Sequence, residues 1–351
     1  MSRPRSCGAG ARRAALALAG AGAAAAAAAH VWSRYVEIHR FTVREHELRI
    51  LPPGTRPVRI LHFSDAHLMP DQARKIAFLR HLETLKPHLV IDTGDNIASA
   101  ASIPVLADAI DPLLRRPGAF AMGSNDMFAP HRKNPLRYFL RDPRPEGFTK
   151  RHREPDLPLG SLRSALTSHG WKDLTNTRAS LRLTGLQVDL VGVDDPHLER
   201  DQFPAPDAAR GAAPDAARGA TGEAGADGTG RTPAAEAAAT STRADEAPAA
   251  DVPHLRIGVA HAPYQRVLDA FVDDGAQLIF AGHTHGGQLR MPGVGALVTN
   301  CDLPRAQARG LSTWRGVPLN VSGGLGANPY SNFRFANPPE ATLLTLRPQR
   351  R

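Results

Sequence analysis

Residues 58–67 read "VRILHFSDAH". A run carrying Val58, Ile60, Leu61 and Phe63 gives way to Ser64, Asp65 and His67, the pattern of a buried strand whose C-terminal end is polar. The arrangement recurs at 88–95 "HLVIDTGD", 119–126 "AFAMGSND", 186–197 "LQVDLVGVDDPH", 255–263 "LRIGVAHAP" and 278–287 "LIFAGHTHGG". Helical spacing lies between them: Ile76, Leu79, Leu82 and Leu85 predict a helix over 72–85, and another is expected over 103–115. "FTVREHELRI" at 41–50 alternates like an edge strand. Strands alternating with helices, each strand delivering polar residues at its end, describe an α/β sheet with a site along one edge.

Further out, the 351 residues suffice for a sizeable core. The net charge is +9, but 38 of the 43 basic residues are arginine beside abundant alanine. That pairing fits GC-rich coding better than selection for a polyanion, so no nucleic acid is expected as a specific partner. Cys7 and Cys301 lie far apart, and no zinc motif of the Cys-x-x-Cys type exists.

A basic tail, residues 1–13, with Arg3, Arg5, Arg12 and Arg13, precedes residues 14–32, which carry no formal charge. As a helix the uncharged stretch is about 28 Å long, near the thickness of a bilayer core. Trp32 and Tyr35 suit an interface, and the arginines predict an inside N-terminus. The expectation is a single span at the cell membrane with the rest of the chain outside the cytoplasm; a cleaved export signal is the alternative. Domain sequence is expected over 41–203 and again over 251–351. Residues 204–250, rich in Ala, Gly, Pro, Asp and Thr and holding "PDAARGA" twice, are expected to be a disordered low-complexity insertion. Residues 131–153 form a basic stretch, eight Lys/Arg against Asp142 and Glu146.

The strand ends carry Asp65-x-His67, Gly94-Asp95-Asn96, Gly123-Ser124-Asn125-Asp126, His261 and His283-x-His285. Carboxylates, imidazoles and an amide at successive strand ends suit two borderline divalent cations, Mn, Fe or Zn. Asp194, Asp195 and His197 come after a strand too, but Asp before Pro reads as a polar turn. His62 and His88 read as packing or capping residues.

In this order the motifs resemble those of calcineurin-like metallophosphoesterases, D-x-H, G-D, G-N-H-[DE], a lone His and G-H-x-H, across about residues 55–347 outside the insertion. "GHTHGGQ" and the closing "GLG…RF…PPEATLLTL" are similar to the bacterial membrane-associated branch, in which some members cleave phospholipid or lipid-sugar phosphodiesters. The resemblance implies a four-layer αββα sandwich of two mixed sheets flanked by helices. It implies one metal on Asp65, His67, Asp95 and His285, a second on Asp95, His261, His283 and an amide of the 123–126 loop, and Asp95 bridging the two. The implied activity is phosphodiester or pyrophosphate hydrolysis by a metal-activated hydroxide, on a phosphate ester that is lipid- or nucleotide-linked. Alternatives are a phosphomonoesterase, or a non-catalytic metal- or phospholipid-binding protein on the same fold.

The loop departs from the family pattern. Without a gap, Ser124 takes the ligand position; slipped by one residue, Asn125 keeps it, and an amide oxygen is the better ligand. Either way the loop histidine near the leaving group is missing. Its loss predicts a preference for good leaving groups or a substitute acid, for which Asp126 is the nearest candidate.

Overall fold

A computed structural model describes residues 7–130, 154–183, 185–206, 252–291, 293–327 and 329–350. The basic stretch 131–153, residues 1–6 of the tail and 207–250 of the expected insertion lie outside the described residues. The chain divides into two units, Met1–Pro204 with Pro253–Arg351, and Ala205–Val252; the elements below belong to the first.

Alanine-rich sequence, which has the highest helix propensity, forms helix α1 (Cys7–Val31). From Arg12 onward it is almost wholly exposed and, with the turns at its C-terminal end, is long and apolar enough to cross a membrane; a signal sequence would share those properties. A wider π-helical turn, Trp32–Val36, and a 3-10 turn, Glu37–His39, lead into β1 (Thr42–Leu51). Then come β2 (Val58–Phe63), α2 (Ala73–His81), β3 (Leu89–Asp92), α3 (Ser102–Leu114), β4 (Gly118–Phe120) and a single turn, α4 (Ser124–Met127). Next are α5 (Leu159–Thr167), β5 (Lys172–Asp173), β6 (Thr177–Leu183) and β7 (Leu186–Gly192). The C-terminal part runs β8 (His254–Val259), α6 (Gln265–Asp273), β9 (Leu278–Ala281), β10 (Arg290–Met291), β11 (Gly295–Ala296), β12 (Gly310–Trp314), β13 (Val317–Val321) and β14 (Glu340–Pro348).

Two six-stranded mixed sheets result, ordered β1-β14-β2-β3-β4-β5 and β12-β13-β9-β8-β7-β6. β2 to β5 are parallel, as are β7, β8, β9 and β13, so their C-terminal ends collect on one side of each sheet. Strands buried on both faces explain the near-continuous apolar runs. Ile60, Ile91 and Ala119 of the first sheet pack against Ile257, Val259 and Phe280 of the second. The alternate residues Leu61, Val90 and Phe120 face Leu79, Leu106, Ile110 and Leu162 of the helices, while Ile279 and Val321 face Leu268 and Phe271 of α6. The layers are helix, sheet, sheet, helix.

Candidate metal centre

The strand ends converge because their loops are laced by backbone bonds. Asp65 N donates to Gly94 O at 2.8 Å, His67 N to Asp95 O at 2.9 Å and Gly282 N to His261 O at 2.8 Å. To turn side chains back over the strands, Asp65 (φ 51°), His67 (40°), Asp95 (55°), His283 (67°) and His285 (49°) all adopt the left-handed backbone. That conformation is costly for residues with a Cβ and concentrates where surrounding structure overdetermines it. Close approach needs glycine at position 123: a Cβ there would lie 2.3 Å from Asp95 Oδ1 and 2.7 Å from His261 Cε1.

Asp65, His67, Asp95 and His285 present one donor atom each, all within 4.8 Å of one another. His285 Nδ1 donates to Gly326 O at 3.0 Å, so its Nε2 carries a lone pair; that atom lies 3.1 Å from His67 Nε2 and 3.6 Å from Asp65 Oδ1. Burial pushes His67 down to about 4 and holds His285 well below the usual histidine range, so both stay neutral, as ligands must. On the other side of Asp95, His261 Nδ1 donates to Thr93 O at 2.6 Å, and His261 Nε2 is buried without a hydrogen-bond partner. Asp95 Oδ2 lies between the two groups, 3.6 Å from His67 Nε2 and 3.5 Å from His261 Nε2. His283 Nε2 donates to Asn300 O at 3.3 Å, which leaves Nδ1 as the ring's lone-pair nitrogen.

Electrostatics fit a cation equally well. Burial raises Asp65 to about 6, and burial with the charge of Asp95 raises Asp126 to about 7. His261, which burial alone would lower, is driven well above its ordinary range by Asp95. Buried carboxylates that must otherwise be neutralised by protons, around orphaned imidazole lone pairs, are the donor set of a divalent ion.

The 123–126 loop is built differently from expectation. Asn125 turns inward: its N donates to Asp95 Oδ1 at 2.6 Å and its Nδ2 to Asp95 Oδ2 at 2.8 Å. Asp126, expected as a substitute acid, is fully buried and accepts from the backbone N of Asp95 (2.9 Å), Asn96 (2.7 Å) and Gly123 (3.0 Å). A carboxylate holding three backbone N–H groups is a staple between loops.

Other contacts escaped the sequence. The turn after β7, read as a bland one, brings the His197 ring to 4.6 Å from that of His283. Arg334, wholly buried, donates from Nη1 to Gly323 O at 2.8 Å and from Nη2 to Gly326 O at 2.5 Å, beneath His285. Glu37, past the end of α1, accepts from Ala336 N (3.1 Å) and from Asn337 N, and Asn337 Nδ2 donates to His285 O at 2.6 Å. Only the short "RF" match hinted at Arg334; no periodicity marks a contact between residues three hundred apart.

Such a fold, with acidic and imidazole donors gathered at the strand ends, defines a metal-dependent hydrolase of the phosphoesterase type. Comparison agrees: residues 58–208 match the profile of the Calcineurin-like phosphoesterase family. An uncharacterized metallophosphoesterase of Bacillus subtilis, YkuE, is 24% identical over 322 residues, covering 90% of this chain and 89% of that one. Similar solved structures include TT1561 of Thermus thermophilus (11% identity, 77% of this chain and 91% of that one, TM-score 0.37). The phosphopantetheinyl hydrolase of Mycobacterium tuberculosis (14%, 80% and 95%, TM-score 0.34) is another. Over residues 58–208 the chain matches the calcineurin-like phosphoesterase family, and it is a metal-dependent phosphoester hydrolase.

Proposed function

We propose a phosphodiester- or pyrophosphate-cleaving enzyme with two divalent ions, Mn, Fe or Zn, acting on a lipid- or nucleotide-linked substrate at a membrane surface. The observation that carries the two-ion reading is Asp95 Oδ2 set between His67 Nε2 and His261 Nε2. A shared carboxylate there offsets the repulsion between neighbouring cations. Asp65, His67 and His285 would complete one ligand set with Asp95; His261, His283 and a polar atom of the 124–125 pair would complete the other. Asn125 belongs to the catalytic machinery through its hold on both Asp95 oxygens. When bound, such ions acidify water and stabilise charge on a phosphoryl group. The protein's part is to hold the carboxylates dry, keep His67 and His285 neutral, and aim them.

The membrane reading rests on α1 and on the π-helical and 3-10 turns at its C-terminal end. Ser33 and Glu37 are buried in the domain, Ser33 O accepting from Arg334 N at 3.0 Å. The end of the helix is thereby joined to the loops that carry His285. With α1 as a span and the enzyme outside the cytoplasm, domain sequence over 41–203 and 251–351 would take in the turns from Ser33 as well. Dependence on metal, tested across Mn²⁺, Fe²⁺ and Zn²⁺ with an aryl phosphodiester and its monoester analogue, separates diesterase from monoesterase. Faster turnover of the monoester would overturn the diester reading.

A further inference from the structure

Among the described residues ten large apolar side chains are exposed, and nine of them fall in one neighbourhood. Six lie on α1 or in the turn that follows it, Trp32 and Tyr35 among them; Met291 (52% exposed), Val294 (69%) and Tyr330 sit on two loops bonded to that exit. The tenth, Phe203, lies under the Arg178 guanidinium. Singly scattered apolar residues are normal on a surface, whereas a cluster of this kind marks a contact. Hydrogen bonds explain why the loops lie there. Ser33 O accepts from Arg334 N at 3.0 Å and Asn332 O from Arg34 Nη1 at 3.3 Å, which fixes residues 332–335 to the exit. The same segment bonds the next loop: Phe335 N donates to Gln288 O at 3.2 Å and Arg290 N to Phe335 O at 3.0 Å. The hairpin of β10 and β11 therefore starts about two strand spacings, roughly 10 Å, from Ser33. Val294, at its tip, donates its N to Met291 O at 3.0 Å.

Resting on the reading of α1 as a membrane span, we propose that the β10–β11 hairpin and the turn Pro329–Ser331 form, with the exit of α1, one interfacial patch on which the domain lies against the bilayer its own helix enters. The occupant is the headgroup zone of that bilayer with its anionic phosphates. A helix that leaves the bilayer through Trp32 and Tyr35 sets those rings at headgroup depth, and the hairpin is bonded to the same exit. Exposed Met291 and Val294 suit the boundary between headgroups and acyl chains, and Arg34 and Arg40 supply cations beside it. Arg40 is exposed, its guanidinium 5.6 Å from the centre of the Trp32 ring. Three apolar side chains alone would bind lipid weakly, but the span holds them at high effective concentration over the surface. The consequence for the enzyme is orientation, because the hairpin adjoins the turn of His285. Arg290 Nη1 donates to Gly286 O at 2.9 Å and Gln288 N to His285 O at 3.0 Å. The patch thus keeps the His285 side of the centre beside the headgroups, where a lipid-borne phosphate ester lies, instead of letting the domain swing on a stalk.

The test uses the full chain in vesicles of phosphatidylcholine with about 30 mol% phosphatidylglycerol, which carry a negative surface. Val294→Cys and, as a control on the edge strand β6, Arg182→Cys each carry a bimane label in a Cys7→Ser, Cys301→Ser background, and lipid with a nitroxide headgroup quenches it. The label at 294 is expected to be quenched at least about fivefold more than that at 182, as a side chain inside the headgroup boundary requires. Adding Met291→Asp should cut that ratio below about twofold, because a charge opposes insertion, with the melting temperature unchanged. Equal quenching at 294 and 182 in a chain that floats with the vesicles would overturn the patch. A 294 label shielded from nitroxide lipid and aqueous iodide alike, increasingly as protein per vesicle rises, would assign the patch to a second copy of the chain and overturn it too. A chain that fails to float with the vesicles would instead overturn the span reading on which the proposal rests.

Discussion

Asp95 is the residue on which the site turns. It meets His67 and His261 through one oxygen, receives two bonds from Asn125, and has its backbone amide stapled by Asp126. Those neighbours, His261 and His67 first, hold its carboxyl well below the usual range against the pull of burial. Gly123→Ala would push a methyl into this carboxylate, and metal retained after gel filtration should fall to less than about a tenth, the upper range for perturbed ligand support. Retention equal to the unaltered protein would remove the close-approach argument. Asp126→Asn keeps the shape but places an N–H against backbone donors; we expect loss of about 2 kcal/mol of stability from mispaired buried groups, read by urea unfolding, rather than a leaving-group effect. The candidate ligands could be named because each type is chemically distinctive and sits after an apolar run; the structure gathers Asp65, His67, Asp95 and His285 within 4.8 Å. The work of Asp126 could not be read, since a carboxylate that accepts backbone amides and one that donates a proton are identical in sequence.

Strands β2, β3, β4, β7, β8 and β9 could be read from their apolar runs and polar ends, and the helices over 73–81 and 102–114 from their spacing. The short strands between 290 and 321 could not. β10 and β11 have two residues each, and β13 is fixed by pairing with β9 forty residues earlier. Non-local pairing of this kind leaves no local period. The segment after α1 teaches the same lesson, for its Trp32 Nε1 donates to Glu37 Oε2 at 2.9 Å while Glu37 binds the loop of Asn337. Glu37→Ala should loosen His285 through Asn337 and weaken metal affinity by about tenfold, measured by competition with a chelator. Unchanged affinity would reduce Glu37 to a local cap.

Across the whole molecule, the two sheets build a dry floor under charges that oppose one another without a cation. Burial raises Asp92 to about 8 and Asp195 to about 7, alongside Asp65 and Asp126. A carboxyl raised above its unfolded value contributes stability that is complete below about pH 4 and is lost as pH rises through the folded value. Metal-free protein should therefore melt lower at pH 8 than at pH 5, by about 5 °C or more. Added metal should recover more at pH 8 than at pH 5. A melting temperature that rises over this window would show the carboxylates to be neutralised by something other than protons or metal. The four layers were legible only through the family resemblance, since apolar runs establish strands but not which sheet receives them.

Hydrolysis of a 4-nitrophenyl phosphodiester alongside metal analysis, comparing the unaltered chain with Asp95→Asn, tests the two-metal hydrolase most directly. The expected result is about two divalent ions per chain, the stoichiometry of a two-metal site, with metal-dependent turnover that Asp95→Asn reduces at least about 10³-fold as it loses metal. Turnover that survives Asp95→Asn, or full metal occupancy with no Asp95-dependent turnover, would contradict it.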